Sequence, residues 1–283
     1  MLPVLLKIGF LELRSYNVLI ALGGILFFCL LKTWDKRMGL RGSGDFWLLV
    51  NTIIVSGFIG GRLMHMLLEV PFSSPSFWRI LFGINTGFSV FGFVAAVWAS
   101  VYCYSRVLKL DFVRLLDYVC VIIPIWQAFG RVGCWMNGCC FGRAPLHYLP
   151  WATTFTNLDA AIPREFLGVP LHPAQFYEAA GDILIAAFLY VIVLRGIEMG
   201  RFARGLVCAG YLAGYGILRF VLEWFRGDTK PYWADISVGQ ALAFGMLMLS
   251  VMFFMAVRRR GGGLPKDRVA NRKVFDAPSN ECI

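Results

Sequence analysis

An all-α polytopic membrane protein of seven transmembrane helices, N-terminus outside and C-terminus cytoplasmic, is the fold class this sequence predicts. Three observations predict it. The 283 residues are 58% hydrophobic and only 16% charged, whereas a soluble domain carries about 25% charged residues, so lipid must stand in for water around much of the exterior. Apolar runs of spanning length recur along the chain. Lysine and arginine alternate between dense and sparse from one connection to the next, which orients the spans.

The runs fall at Tyr16–Leu31, Phe46–Leu68, Thr86–Tyr104, Tyr118–Met136, Gln175–Leu194, Gly205–Phe225 and Ile236–Val257. Hydrocarbon offers the backbone no hydrogen bonds, so each run must satisfy its own peptide groups as a helix. The strict alternation of a membrane β-strand is absent over these lengths. The first run is short and is expected to start nearer Leu13, with Arg14 reaching back to the surface. Lys32, Lys36, Arg37 and Arg41 follow span one. Arg106, Lys109 and Arg114 follow span three, Arg195, Arg201 and Arg204 span five, and a basic tail from Arg258 to Lys273 span seven. The opposite connections are sparse, holding residues such as Arg79, Arg143, Arg164 and Lys230. The dense side belongs in the cytoplasm. Residues 1–260 are therefore expected to form one membrane domain, including an outer connection at about 137–173, and residues 261–283 a basic, polar cytoplasmic tail.

The net charge of +10 does not indicate nucleic acid, because no basic stripe carries interleaved aromatics. The first apolar run lacks a small-residue cleavage site and more spans follow, so no cleavable signal peptide is expected. Transport is disfavoured, since the chain shows no internal repeat or paired broken helices.

Polar groups at membrane depth carry the functional signal. Arg62, Arg131 and Arg219 fall within spans, where each costs roughly 2.5–3.5 kcal/mol unless a partner, a polar lumen or an exit route receives it. Arg62, in Gly57-Phe-Ile-Gly-Gly-Arg62, also fits a snorkelling or packing role. Tyr215, Arg219, Glu223 and Arg226 recur at spacings of four, four and three, which is one helical face. That face suits a phosphate held below the surface, because guanidinium is a planar multiple donor. Gly130-Arg-Val-Gly-Cys-Trp-Met-Asn-Gly-Cys-Cys-Phe-Gly-Arg143 reads as a polar turn at an outer boundary, containing Arg131, Asn137, Gly142 and Arg143. Its Cys134, Cys139 and Cys140 lack a fourth ligand at zinc spacing, so a disulfide or simple packing is preferred and no metal or cofactor is expected. In His172-Pro-Ala-Gln-Phe-Tyr-Glu178-Ala-Ala-Gly-Asp182, Gln175, Glu178 and Asp182 share a face. Acids there should meet Arg131 or Arg219 inside the bundle.

These segments, in this order, resemble the prolipoprotein diacylglyceryl transferases of the bacterial inner membrane. Gly130–Arg143 resembles the family's Gly-Arg-x-Gly-Asn-Phe-x-Asn-Gly-x-x-x-Gly-Arg signature. His172–Glu178 resembles its His-Pro-x-Gln-x-Tyr-Glu motif, and Tyr215–Arg226 its later Tyr-Gly-x-x-Arg-x-x-x-Glu-x-x-Arg face. Arg14-Ser-Tyr16, Gly57–Arg62 and Ile236-Ser-Val-Gly-Gln240 are weaker matches.

The resemblance implies transfer of a diacylglyceryl group from phosphatidylglycerol to the lipobox cysteine thiol in the signal peptide of a preprolipoprotein. A thioether and glycerol 1-phosphate would result. It implies Arg131, Asn137, Tyr215 and Arg219 as catalytic residues. Gly142, Arg143, His172, Gln175, Glu178, Glu223 and Arg226 would bind phosphate or support the site. Two positions depart from the pattern: Phe91 stands where the family usually has histidine, and Cys134 where it has asparagine. They keep open a catalytically weak or inactive lipid-binding paralogue, or a transferase for another phospholipid or acceptor.

Overall fold

A computed structural model describes residues 1–8, 11–69, 88–229, 231–233 and 236–259. The expected tail at 261–283, Arg79, Lys230 and the first two residues of the Thr86–Tyr104 run lie outside the described residues. Six described helices are long and apolar enough to cross a membrane. The chain is thus an all-α polytopic membrane protein, and its contacts divide it into two units, Leu31–Leu115 and Met1–Leu30 with the chain from Leu116 onward.

In the Leu31–Leu115 unit, a one-turn helix α2 (Asp35–Met38) precedes α3 (Ser43–Glu69) and α4 (Val90–Val107). Small residues bring α3 and α4 together. A methyl group on Gly60 would collide with Ala96 and the Gly92 carbonyl, and one on Gly92 with the Gly60 carbonyl and Met64. Backbones approach this closely in membranes where small side chains permit it. Polar clasps reinforce the contact: Ser100 donates to Ser56 at 2.8 Å and the Tyr104 hydroxyl to the Asp45 carbonyl at 2.8 Å. Ser89 caps α4 by accepting from the Gly92 amide at 3.4 Å.

The other unit opens with a ribbon, β1 (Val4–Ile8) against β2 (Leu11–Arg14). Helix α1 (Ser15–Thr33) follows directly. The expected start near Leu13 is therefore corrected to Ser15, because Leu13 and Arg14 are held in antiparallel pairing with Leu6 and Val4. Two further ribbons pair Thr153–Thr154 (β3) with Pro170–Leu171 (β4), and Pro231–Trp233 (β5) with Ile236–Ser237 (β6). These lie between the long helices and are too short for alternation to betray them.

The long helices of this unit are α5 (Phe112–Asn137), α6 (Ala174–Phe188), α8 (Leu206–Leu222) and α9 (Val238–Arg259). A wide π-type turn at Leu189–Leu194 links α6 to the short α7 (Arg195–Glu198). Trp126 of α5 donates to the Ile20 carbonyl of α1 at 3.0 Å. Helix α8 packs on α6 through Gly214 against Ile185, and on α9 through Gly216 against Leu247.

Its N-terminus is clasped by Asp117, a buried acid of α5 that accepts from the Gly205 amide at 2.6 Å and the Val207 amide at 3.2 Å. A carboxylate there satisfies orphan amides and complements the positive helix end. Leu184, Ile217 and Met252 remain exposed, as side chains facing hydrocarbon do.

The connection from 138 to 173 has a core of its own. Phe141, Phe155, Ile162 and Leu171 are buried together, with Trp135 and Phe166 against them.

Candidate active site

The first functional residues enter at the end of α5, which closes in a Schellman turn. Gly138 adopts φ +80°, a conformation glycine takes without Cβ cost, and the Gly138 amide donates to the Trp135 carbonyl at 3.3 Å. The Cys139 amide reaches back to the Cys134 carbonyl at 3.1 Å. These are the two bonds that end a helix in this way. The turn lays Cys139 over Cys134, and Cys140, itself in the left-handed region at φ +57°, adds a third thiol. The three sulfurs lie within 4.8 Å of one another, and all three cysteines are free thiols. The disulfide weighed from sequence is thus absent, while the three thiols do come together.

Beyond the turn the chain crosses its own later segments. Gly142 bridges Arg226, the Arg143 amide donates to the Phe225 carbonyl at 2.9 Å, and the His172 amide donates to the Arg143 carbonyl at 3.0 Å. Gly142 is needed because a Cβ there would strike the His172 carbonyl. What it admits closely is protein backbone. Arg143 likewise contributes through its backbone, since its side chain is exposed. The His172 ring lies edge-on to Tyr177 and Phe225, with Nδ1 3.4 Å from the Tyr177 hydroxyl. Burial and the Arg143 charge hold its pKa below the ordinary value.

At the centre sits Glu178, fully buried on the first turns of α6. Its Oε1 is 2.7 Å from Arg131 Nη2 and accepts from the Tyr215 hydroxyl at 3.1 Å, while Oε2 faces Arg226 Nη1 at 3.9 Å. Arg131 Nη2 also reaches the Tyr215 hydroxyl at 3.5 Å. One carboxylate therefore gathers two guanidiniums and a phenol from three separate segments. Bringing these groups out of water is costly unless each finds its counterpart, and Glu178 supplies it.

Arg219 and Glu223 form a second pair at 3.1 Å, both largely buried. Gly239 of α9 makes room for them, since a Cβ there would lie 2.5 Å from Glu223 Oε2 and 2.8 Å from Arg219 Nη2.

The single face expected for Tyr215, Arg219, Glu223 and Arg226 is corrected at its far end. Helix α8 stops at Leu222, Glu223–Phe225 tighten to a 3₁₀ turn, and Arg226 is extended at ψ 141°. Arg226 therefore swings toward Glu178 and also pairs with Asp228 at 2.6 Å. Burial raises the Asp228 pKa against the opposing pull of Arg226.

The meeting expected between the α6 acids and Arg131 or Arg219 is made by Glu178 with Arg131. Gln175 instead donates to the Cys139 carbonyl at 2.8 Å. Asp182 is buried, with neither carboxylate oxygen hydrogen-bonded among the described residues. Asn137 carries the last helical turn, and its carbonyl accepts from the Ala161 amide at 2.8 Å. Its Oδ1 is buried without a hydrogen-bond partner among the described residues.

Sequence reading passed over Asp228 and Asp117. Asp117 had a detectable signal, an acid directly preceding the Tyr118–Met136 run; Asp228 follows a glycine in a connection and carried none. Arg62 and Phe91 belong to the Leu31–Leu115 unit. Arg62 is buried with its guanidinium 5.5 Å from the Phe58 ring centre, and Phe91 is exposed.

A buried carboxylate with two guanidiniums, a phenol and a neighbouring Arg–Glu pair can receive an anion and the charge that develops on it. Comparison with known proteins points the same way. The family described as prolipoprotein diacylglyceryl transferase matches residues 3–256. A phosphatidylglycerol–prolipoprotein diacylglyceryl transferase of Clostridium tetani is 30% identical over 92% of this chain and 99% of its own length. The Vibrio cholerae protein of that name is 32% identical over 95% of each chain, and the Geobacter sulfurreducens one 30% identical over 92% and 97%.

Proposed function

The chain belongs to the prolipoprotein diacylglyceryl transferase family, and we infer from this membership that it is a multi-pass enzyme of the bacterial inner membrane. It moves a diacylglyceryl group from phosphatidylglycerol to the cysteine of a lipoprotein precursor. We propose further that the acceptor is the lipobox thiol of a signal peptide and that glycerol 1-phosphate leaves. The seven-span arrangement, N-terminus outside, places the Glu178 network toward the outer leaflet; the alternating basic connections support it.

The observation that carries the site assignment is the convergence of Arg131, Tyr215 and Arg226 on Glu178. In the reaction a thiol sulfur attacks a glycerol carbon, the C–O bond to phosphate breaks, and the electron pair leaves with the phosphate. Arg131 and Arg219 take that developing charge, because donors already oriented in a dry site need no rearrangement as it forms. Glu178 positions Arg131 and Arg226, and Glu223 positions Arg219. Tyr215 orients the incoming thiol, and the Asn137 amide donates to the glycerol or phosphate. His172, Gln175, Gly142 and Arg143 hold the crossing segments that set these groups in place.

The test is complementation of a cell depleted of its own transferase, read as the mass of a reporter lipoprotein. The wild-type chain should restore the diacylglyceryl mass increment. Arg219→Ala should abolish it, and Arg219→Lys should nearly do so, because a point charge cannot replace the planar fork. Full modification by Arg219→Ala would remove Arg219 from the mechanism. A wild-type chain that accumulates in the membrane yet restores nothing would favour a lipid-binding protein without turnover.

A further inference from the structure

The network around Glu178 answers the leaving phosphate but leaves the acceptor thiol's proton unanswered. Glu178 Oε1 is engaged by Arg131 and Tyr215, Oε2 faces Arg226, and the Tyr215 hydroxyl donates its own proton to Glu178. A free thiol has a pKa near 8.5 and attacks only as thiolate. Beside this network stand three thiols whose sulfurs lie within 4.8 Å of one another.

We propose that Cys134, Cys139 and Cys140 form a three-thiolate site for a thiophilic divalent cation, zinc by preference, whose fourth position takes the acceptor cysteine. This rests on the transferase reading above.

The geometry fits the ion. Zinc takes thiolates at about 2.3 Å, which in a tetrahedron sets neighbouring sulfurs roughly 3.8 Å apart. The observed sulfurs, within 4.8 Å of one another, would draw in by at most about 1 Å to reach that spacing. Zinc sites that act on substrates keep three protein ligands and one open position, so the missing fourth ligand, which argues against a structural zinc, is what a substrate site requires.

The backbone brings the ligands together through the Schellman turn, with Cys139 over Cys134 and Cys140 held at φ +57°. A left-handed non-glycine residue is a strained choice, and it persists where the surroundings enforce it. The charge balances as well. Three thiolates and one dication carry a net charge of −1, opposite in sign to the Arg131 and Arg226 side chains gathered by Glu178.

The step then closes. The acceptor S–H proton passes to water as its sulfur enters the fourth position, since a coordinated thiol is deprotonated outright. A lone pair of that sulfur forms the C–S bond, the glycerol C–O bond breaks, and its electron pair departs on the phosphate. The product thioether is neutral, binds zinc weakly and leaves.

The experiment uses the full chain in lipid nanodiscs under reducing conditions, stripped with a chelator and reloaded with Zn²⁺ or Co²⁺. Metal content, the near-ultraviolet thiolate-to-cobalt absorption, and transfer from phosphatidylglycerol vesicles to a lipobox peptide are read in parallel. One metal per chain and a cobalt band that fades in Cys134→Ser and in Cys140→Ser are expected. Stripping the wild type should slow transfer about a hundredfold, the scale of losing a positioned activating group, and Zn²⁺ should restore it.

Undiminished transfer by stripped, reduced protein would overturn the inference and leave the transferase reading intact. A disulfide within the trio in protein isolated from membranes would also overturn it. So would metal binding that survives Cys134→Ser and Cys140→Ser together. Metal held by the trio with no transfer under any loading would instead bring down the reading of the reaction, and the catalytic role of the ion with it.

Discussion

Replacing Glu178 by glutamine removes one charge and keeps the shape, so it isolates what that carboxylate contributes. Arg131 and Arg226 would both lose their buried counter-charge. Removing one partner of a buried ion pair costs about 3–5 kcal/mol, and two guanidiniums depend on this one. Glu178→Gln should therefore lower the thermal unfolding midpoint in detergent and slow diacylglyceryl transfer at least as strongly as Arg131→Gln. A variant of wild-type stability and rate would show that the two arginines find their compensation elsewhere. Of these residues, the reach of Arg131 toward an acid near Glu178 was legible, because an arginine and a carboxylate at membrane depth each need the other. The segment Gly130–Arg143, expected as a polar turn throughout, is corrected in its first half, because α5 stays helical through Asn137 and the turn begins only at Gly138. The sulfur trio was not legible. Ligand spacing counts residues along the chain, whereas a Schellman turn folds position 139 back over position 134.

Helix pairs carry the next level. In the Leu31–Leu115 unit, α3 and α4 meet where Gly60 and Gly92 oppose each other's carbonyls. Gly60→Val puts a branched side chain against the Ala96 methyl and the Gly92 carbonyl, neither of which can rotate away. Overpacking costs typically about 1–3 kcal/mol, and a contact made by backbone lies at the upper end. The expected outcome is a clear fall in the unfolding midpoint, with Ala96→Gly recovering part of it by removing the nearest methyl. Unchanged stability would mean the two helices do not rely on this approach.

The same level shows why element boundaries were harder to read than element existence. Each of the seven apolar runs contains a described helix, yet the ends differ: α1 begins at Ser15 because a ribbon captures Leu11–Arg14, and the last run opens with strand Ile236–Ser237 before α9. Tyr215, Arg219 and Glu223 keep their four-residue spacing because α8 and its tightened end continue through Glu223. Arg226 departs because the chain becomes extended there, and spacing alone cannot announce where a helix stops.

Across the whole chain, orientation is the property that only charge placement addresses. A membrane-impermeant maleimide applied to intact spheroplasts should label Tyr148→Cys, which is 92% exposed in the connection before α6. It should not label Gly200→Cys, in the connection after α7, until the membrane is opened. The reverse pattern would invert the topology and move the Glu178 network to the cytoplasmic leaflet. The background for both carries Cys139→Ser and Cys140→Ser, so that native thiols of that connection do not report.

Asp117 sets a register. By clasping the amides of Gly205 and Val207 it pins the start of α8, and from that origin the helix winds about 100° per residue. Tyr215 and Arg219 find Glu178 and Glu223 because a fixed count of residues separates them from the clasp. The identity of the residues between is comparatively free, but their number is not. One alanine inserted after Leu212 would keep every side chain of the site and turn Tyr215 and Arg219 by more than a quarter of a revolution. A compensating deletion before the site would return them to phase. Along this helix, the chemistry is encoded as a length.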